Sequence, residues 1–229
     1  MISESITTIK QRIADIALQY NRSPESVQLL AVSKTRPIAD IVSAIESGQF
    51  RFGENYLQEA IPKIEALGDN KKLEWHFIGP LQSNKTRIIA ENFDWLHSLS
   101  QLKHAQRLNN QRPEHLPPLN VCIQVNISEE AQKSGVHLND LATLAGGIAE
   151  LPRLRLRGLM TLPAPSQGFE QQRIPFRRLR IALEELEIKG LDTLSMGMTN
   201  DMEAAIAEGA TLVRIGTGIF GQRIGKNHE

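Results

Sequence analysis

A TIM-type (β/α)8 barrel is the α/β architecture that this sequence predicts, with an extra N-terminal helix, as a single domain over residues 1–229. Three observations predict it. Eight short, strand-like runs follow one another from Leu29 onward. Helix-period segments fill the gaps, several of them stopped by a glycine. Loops rich in small residues follow the seventh and eighth runs. Repeated strand–helix alternation implies a parallel sheet covered by helices, and eight units close on themselves as a barrel. A doubly wound open sheet is the competing arrangement.

The leading helix is read from Ile2, Ile6, Ile9, Ile13, Ile16 and Tyr20, which lie on one helical face. Ser23-Pro24-Glu25 reads as a cap, a proline at the first helical position and an acid in the first turn. The strand-like runs are LLAVSK (29–34), FRFGEN (50–55), EWHFIG (74–79), WLHSL (95–99), LNVCIQVNI (119–127), LRLRGLM (154–160), DTLSMGM (192–198) and LVRIGTG (212–218). Helical spacing recurs at Ile38, Ile41, Val42 and Ile45, and again at Leu57, Ala60, Ile61 and Ile64, where Pro62 predicts a kink or break. Ile88, Ile89 and Phe93 follow, then Leu141, Leu144 and Ile148. Phe176, Leu179, Leu183 and Leu186 stop at Gly190, and Ala204, Ala205 and Ile206 stop at Gly209. LPAPSQGFEQQ (162–172) reads as one long loop after the sixth strand.

The composition narrows the function classes. Lys plus Arg and Asp plus Glu both number 26, a balance that argues against a dedicated nucleic-acid or anionic-membrane binder. Cys122 is the one cysteine, so no internal disulfide forms and a reducing compartment is expected. MISESITTIKQR lacks the pattern of a signal peptide, and no apolar run approaches the roughly 18 residues of a membrane span. The expectation is a cytoplasmic globular protein.

Functional groups of such a barrel sit at the C-terminal ends of its strands. Lys34 shares strand parity with Leu30 and Val32, so an inward-facing strand delivers its amine to the barrel mouth. A partly desolvated lysine is a nucleophile toward carbonyls. The plain alternative is a solvated lysine reaching water past the strand end. LSMGMTND (194–201) places Ser195, Gly197 and Thr199 where a helix opens, which suits a phosphate. An ordinary capped helix is the alternative there. RIGTGIFG (214–221) brings Gly216, Gly218 and Gly221 beside it, where backbone can approach a ligand closely. Arg214 is a charge on a barrel strand and needs a partner or a ligand. Pyridoxal 5′-phosphate (PLP) satisfies all three features: an aldehyde for Lys34, a phosphate for the two loops and a ring nitrogen for Arg214.

The motifs AVSKTRP, FGENYLQEA, WHFIGPLQSNK, HSL, KSG, RGLMTLPAP, LSMGMTNDMEAAI and VRIGTGIFG run in order from residue 31 to 221. Together they resemble the YggS-type pyridoxal phosphate homeostasis proteins over nearly the whole chain. The resemblance implies a fold like the barrel domain of alanine racemase and ornithine decarboxylase. It implies an internal aldimine on Lys34, with Arg214 against the pyridine nitrogen. Ser195, Thr199, Gly216 and Thr217 would contact the phosphate, and Asn55, His76 and Met160 would line the ring. Thr199-Asn200 departs from the family pattern, where serine and a more acidic residue are usual; threonine keeps the hydroxyl.

Other polar positions carry weaker readings. Ser83-Asn84-Lys85 suits a helix cap that could also reach the mouth. Lys133-Ser134-Gly135 suits a plain loop, with a mobile lid or a second anion contact as the alternatives. His97 reads as a core histidine, and Cys122 as an inert barrel residue beside Gln124 and Asn126. No His/Cys/acid spacing suggests a metal. The function expected is a PLP-binding protein of vitamin B6 homeostasis, a monomer without turnover, passing PLP to apo-enzymes. A weak amino-acid racemase and a Schiff-base aldolase are the competing classes. Racemases of this fold resemble two-domain dimers, whereas this sequence stops at Glu229, shortly after the eighth run. Its two tyrosines are Tyr20, on the leading helix, and Tyr56, after the second run.

Overall fold

The computed structural model describes residues 1–68, 70–128 and 134–222. Eight parallel strands close into one barrel in sequence order, β1 pairing with both β2 and β8. They are β1 Gln28–Val32, β2 Arg51–Glu54, β3 Glu74–Phe77, β4 Trp95–Leu99, β5 Leu119–Gln124, β6 Leu154–Met160, β7 Thr193–Ser195 and β8 Leu212–Ile215. Among the described residues the helices are α1 Ile2–Gln19, α2 Ile38–Glu46, α3 Leu57–Leu67, α4 Thr86–Asn92, α5 Leu102–Gln111, α6 Leu138–Ala149, α7 Phe169–Glu185, α8 Met202–Ala207 and α9 Thr217–Phe220.

Strand parity sorts the side chains into two environments. Leu29, Ala31, Phe52, Trp75, Phe77, Leu96, Val121, Ile123, Leu194 and Val213 join the main apolar core, in contact with helix residues such as Ile41, Ile89, Leu108 and Phe176. Leu30 and Ile78 turn the other way, since a Cβ built on Gly53 would touch both. Trp95, Cys122 and Met160 form a separate small cluster inside the barrel. His76, His97, Ser195 and Arg214 are buried as well, with exposures of 4% or less. The barrel interior is thus part apolar and part hydrogen-bonded.

Helix α1 buries Ile6, Ile13, Ile16 and Ala17 and packs against α2, α8 and α9. Ile9 reaches Gly218, so the leading helix supports the single turn that follows β8.

Several boundaries differ from those read in the sequence. β1 ends at Val32, and Lys34 stands in a turn before Thr35, whose φ is +62°. The eighth run, expected to extend to residue 218, leaves the sheet after Ile215 and turns into α9. Pro62 sits inside a continuous α3 and breaks nothing, and Pro175 is likewise inside α7. The expected loop 162–172 ends at Gly168, because α7 begins at Phe169. Pro24–Ser26 forms one 3-10 turn and no longer helix. Helix α5 fills a gap in which no helical residues were assigned; it buries His104, Ala105 and Leu108, a stripe too polar at its other positions to stand out.

Where β6 passes β7 the backbones leave no room for a side chain. A Cβ on Gly158 would lie 1.8 Å from the Thr193 carbonyl oxygen. Gly158→Ala should therefore destabilise the fold by about 3 kcal/mol or more, because backbone must move. Thermal denaturation should show a fall in Tm of roughly 6–12 °C for a chain of this size.

Candidate functional site

A cavity of about 690 Å³ opens at the C-terminal ends of the strands. Lys34 and Val32 from the end of β1, Asn55 after β2, Ile78 after β3 and Met160 of β6 line it. Thr199 after β7, Arg214 of β8, and Gly216 and Thr217 beyond it line it too. Residues 162–166, the first half of the β6–α7 loop, close it above. Seven of the nine residues proposed from the sequence thus share one wall: Lys34, Asn55, Met160, Thr199, Arg214, Gly216 and Thr217.

His76 and Ser195 do not. Both are fully buried and absent from the cavity lining, which corrects their expected place against a ring and a phosphate. Each lies one layer deeper along the barrel axis, on a polar chain that begins at Arg214. The Arg214 guanidinium donates from one nitrogen to the Ser195 carbonyl (2.5 Å) and Oγ (2.7 Å), and from the other to the Thr161 carbonyl (2.8 Å). Ser195 Oγ lies 2.8 Å from His97 Nδ1, and His97 Nε2 lies 2.9 Å from His76 Nδ1. His76 stacks on Trp95, and its Nε2 stands 3.6 Å from Glu74 Oε2 at the far end of β3.

His76 Nε2 makes no hydrogen bond to a described residue, but its approach to a carboxylate favours one direction through this chain. Arginine can only donate and a carboxylate can only accept. Ser195 Oγ accepts from Arg214 and is left to donate to His97 Nδ1. His97 Nε2–H then donates to His76 Nδ1, and His76 Nε2–H faces Glu74. The opposite tautomers would turn a nitrogen lone pair toward the Glu74 carboxylate. Burial holds both imidazoles neutral: His97 lies well below the ordinary histidine range, and His76 is lowered with Glu74 opposing. Burial also draws Arg214 down to about 10, which leaves it charged at neutral pH.

The cavity wall itself is held close. A Cβ on Gly216 would come within 3.3 Å of the Val32 carbonyl oxygen, so glycine lets the end of β8 approach the end of β1. Asn55 Oδ1 is buried and takes a hydrogen bond from no described residue. Asp201, whose place in the sequence suits only a helix dipole, also lines the wall; its Oδ1 accepts the Met198 N–H at 2.6 Å, and burial raises its carboxyl. An orphaned acceptor, two cations, the Thr199 and Thr217 hydroxyls and a glycine-backed turn fit a group that carries an aldehyde, a ring and a phosphate.

The other polar positions lie elsewhere. Ser83 Oγ pairs with His104 Nε2 at 2.7 Å, away from the cavity. Ser134 accepts from Gln124, and Lys133 lies outside the described residues. The Cys122 thiol is fully buried and pushed up to about 12. No group of metal-binding side chains occurs among the described residues. Tyr56 is 47% exposed and off the wall. No described helix is long and apolar enough to cross a membrane.

A closed parallel barrel with a lysine, an arginine and two threonine-bearing turns at one mouth defines a class. Residues 7–224 match the family described as the N-terminal domain of alanine racemase. Within it, the chain belongs to the pyridoxal phosphate homeostasis protein family. It is 53% identical over 227 residues to the protein of that name from Escherichia coli K12, covering 97% of both chains. It is 56% identical over 222 residues to that of Pseudomonas aeruginosa, covering 97% and 96%. The PLP-bound structure of PipY from Synechococcus elongatus superposes with a TM-score of 0.83 at 36% identity, covering 96% of this chain and 100% of that one. Alanine racemase from Corynebacterium glutamicum shares the fold, with a TM-score of 0.68 at 18% identity over 62% of its own chain.

The buried histidines make stability depend on pH. Unfolded, each takes up a proton near pH 6.5; folded, each does so only at lower pH. Between those values the unfolded state holds more protons, so stability rises with pH. The contribution is complete above about pH 6.5 and is lost as pH falls toward the folded values. Glu54, Asp94 and Asp201, raised by burial, act in the opposite sense above the ordinary carboxylate range. His97→Gln isolates the histidine part: Tm measured from pH 5.5 to 7.5 should climb less steeply in the variant than in the native chain.

Proposed function

We propose that the chain, acting over residues 1–229 as one unit, binds PLP at the barrel mouth and serves vitamin B6 homeostasis. The observation that carries the reading is the convergence of Lys34, Arg214 and the two threonine turns on one cavity. PLP supplies a reactive aldehyde and an electron-withdrawing ring. In this reading Lys34 holds the aldehyde as an internal aldimine. Thr199, Thr217 and the backbone at Gly216 take the phosphate. Arg214 faces the ring nitrogen, with Asn55 and Met160 beside the ring. Ser195 and His76 act from beneath, by holding Arg214.

Binding without turnover is favoured by what the wall contains. Racemization removes a proton from one face of a carbon and returns it to the other, which needs two positioned groups. Among the described wall residues the amine and carboxyl side chains are Lys34 and Asp201, and Asp201 is engaged with the Met198 amide. No described tyrosine or histidine reaches the wall. Arg214 donates only, so it keeps the ring nitrogen unprotonated and the ring a weaker electron sink. The reading includes a monomeric, cytoplasmic protein that gives PLP up to apo-enzymes.

Lys34→Ala should abolish the visible absorption band of the PLP-loaded protein while the melting curve persists. Pyridoxal without phosphate should bind at least about tenfold more weakly than PLP, since each lost charge-assisted hydrogen bond is worth roughly 1.5–3 kcal/mol. An unchanged band in the variant, or equal affinities in titration, would remove the reading. Mixing the loaded protein with an apo PLP enzyme should restore that enzyme's activity faster than free PLP at the same free concentration does.

A further inference from the structure

Helix α3 grips the chain on both sides of Lys34. Lys63 is buried, and its Nζ donates to the Ser33 carbonyl at 2.9 Å and to Glu54 Oε1 at 2.7 Å. Ser33 Oγ donates to the same Glu54 oxygen at 2.6 Å. One helical turn away, Glu59 Oε2 accepts the Thr35 amide at 2.7 Å. The carbonyl before Lys34 and the amide after it are therefore both anchored to one helix, with β2 supplying the third point through Glu54.

Two features of this arrangement oppose stability. An ion pair buried this deeply costs desolvation that its mutual attraction repays poorly. Thr35, at φ +62°, stands in the left-handed region that β-branched residues avoid. Strain and buried charge held by surrounding contacts gather where geometry serves function. What the contacts fix is the turn that carries Lys34, whose side chain lies on the cavity wall. Glu54 and Glu59 both fall in the FGENYLQEA motif, a stretch in which only Asn55 lines the cavity.

We infer that Glu54, Glu59 and Lys63 are positioning residues that hold the 33–35 turn so that the Lys34 amine meets an aldehyde bound in the cavity. The inference rests on the reading of Lys34 as the group that captures PLP. In that capture the lysine nitrogen bonds to the aldehyde carbon and the aldehyde oxygen leaves as water. Borohydride then adds hydride to the carbon of the C=N bond, the nitrogen takes a proton from water, and the label becomes permanent.

The test compares the native chain with Glu59→Ala, Glu59→Gln and the double variant Glu54→Gln/Lys63→Met. PLP labelling of Lys34 after borohydride is measured by mass spectrometry. Affinity for pyridoxine 5′-phosphate, which has ring and phosphate but no aldehyde, is measured alongside, with Tm for each variant. Glu59→Ala should lower capture about tenfold while pyridoxine 5′-phosphate binds within about twofold of native, because only the amine is misplaced. Glu59→Gln should recover most of the capture, since its amide oxygen still accepts from Thr35. The double variant should also lose capture; if it fails to fold, Glu59→Ala decides, because its carboxylate is half-exposed. Native labelling with equal labelling of Glu59→Ala overturns the clamp alone. Absence of label from native Lys34 overturns the PLP reading and the clamp with it.

Discussion

The Arg214 guanidinium is the constraint on which the site depends. A full charge stands inside a closed barrel, and burial lowers its pKa only to about 10, so it remains a cation. A buried charge without partners would be prohibitive. Its partners come from two neighbouring positions: the carbonyl and hydroxyl of Ser195 on β7, and the Thr161 carbonyl just past β6. Neither strand end can shift without stranding that charge. The same demand orders the layer below. Ser195 Oγ, which accepts from Arg214, also pairs with His97, and His97 pairs in turn with His76. Two buried imidazoles are thus tied by hydrogen bonds to the cavity wall.

Much of the barrel was legible because each strand carries its own apolar run. WLHSL and LRLRGLM match β4 and β6 end for end. Other runs were read too long. Apolar and small residues continue past the last ladder bond at Lys34 and at Gly216, and only the neighbouring strand's length decides where pairing stops. Pro62 and Pro175 each forgo one helical hydrogen bond, yet α3 and α7 pass through them, since packing outweighs the local preference. Helix α5 was missed because its buried stripe includes His104 among polar neighbours.

The site was legible in part for a similar reason. Strand parity points Arg214 inward, and Arg214 lines the cavity; Lys34 also lines it, but from a turn beyond β1 to which parity no longer applies. Parity carries no information about depth along the barrel axis. Ser195 precedes Thr199 in one motif, yet four residues carry the chain from the buried layer to the cavity wall. His76 sits two residues before Ile78, which lines that wall, and so falls a layer below. The contacts of Asn55 and Asp201 depend on how loops fold back, and no periodicity encodes that.

The division of labour at the mouth bears on how tightly an anion can be held. Among the described wall residues Lys34 and Arg214 are the cations, and Asp201 stands on the same wall as the threonine turns. Arg214 already donates from both terminal nitrogens to protein acceptors, and in the PLP reading it faces the ring nitrogen and not the phosphate. In the PLP reading Lys34 is engaged by the aldehyde and is not available to the phosphate. A phosphate would then rest on hydroxyls and backbone N–H groups, with a carboxyl nearby. Such neutral donors bind an anion less tightly than a bidentate guanidinium does. Retention would come from the reversible bond at Lys34, and release would need only water or another amine at that carbon. A site built this way would hold its ligand and still surrender it.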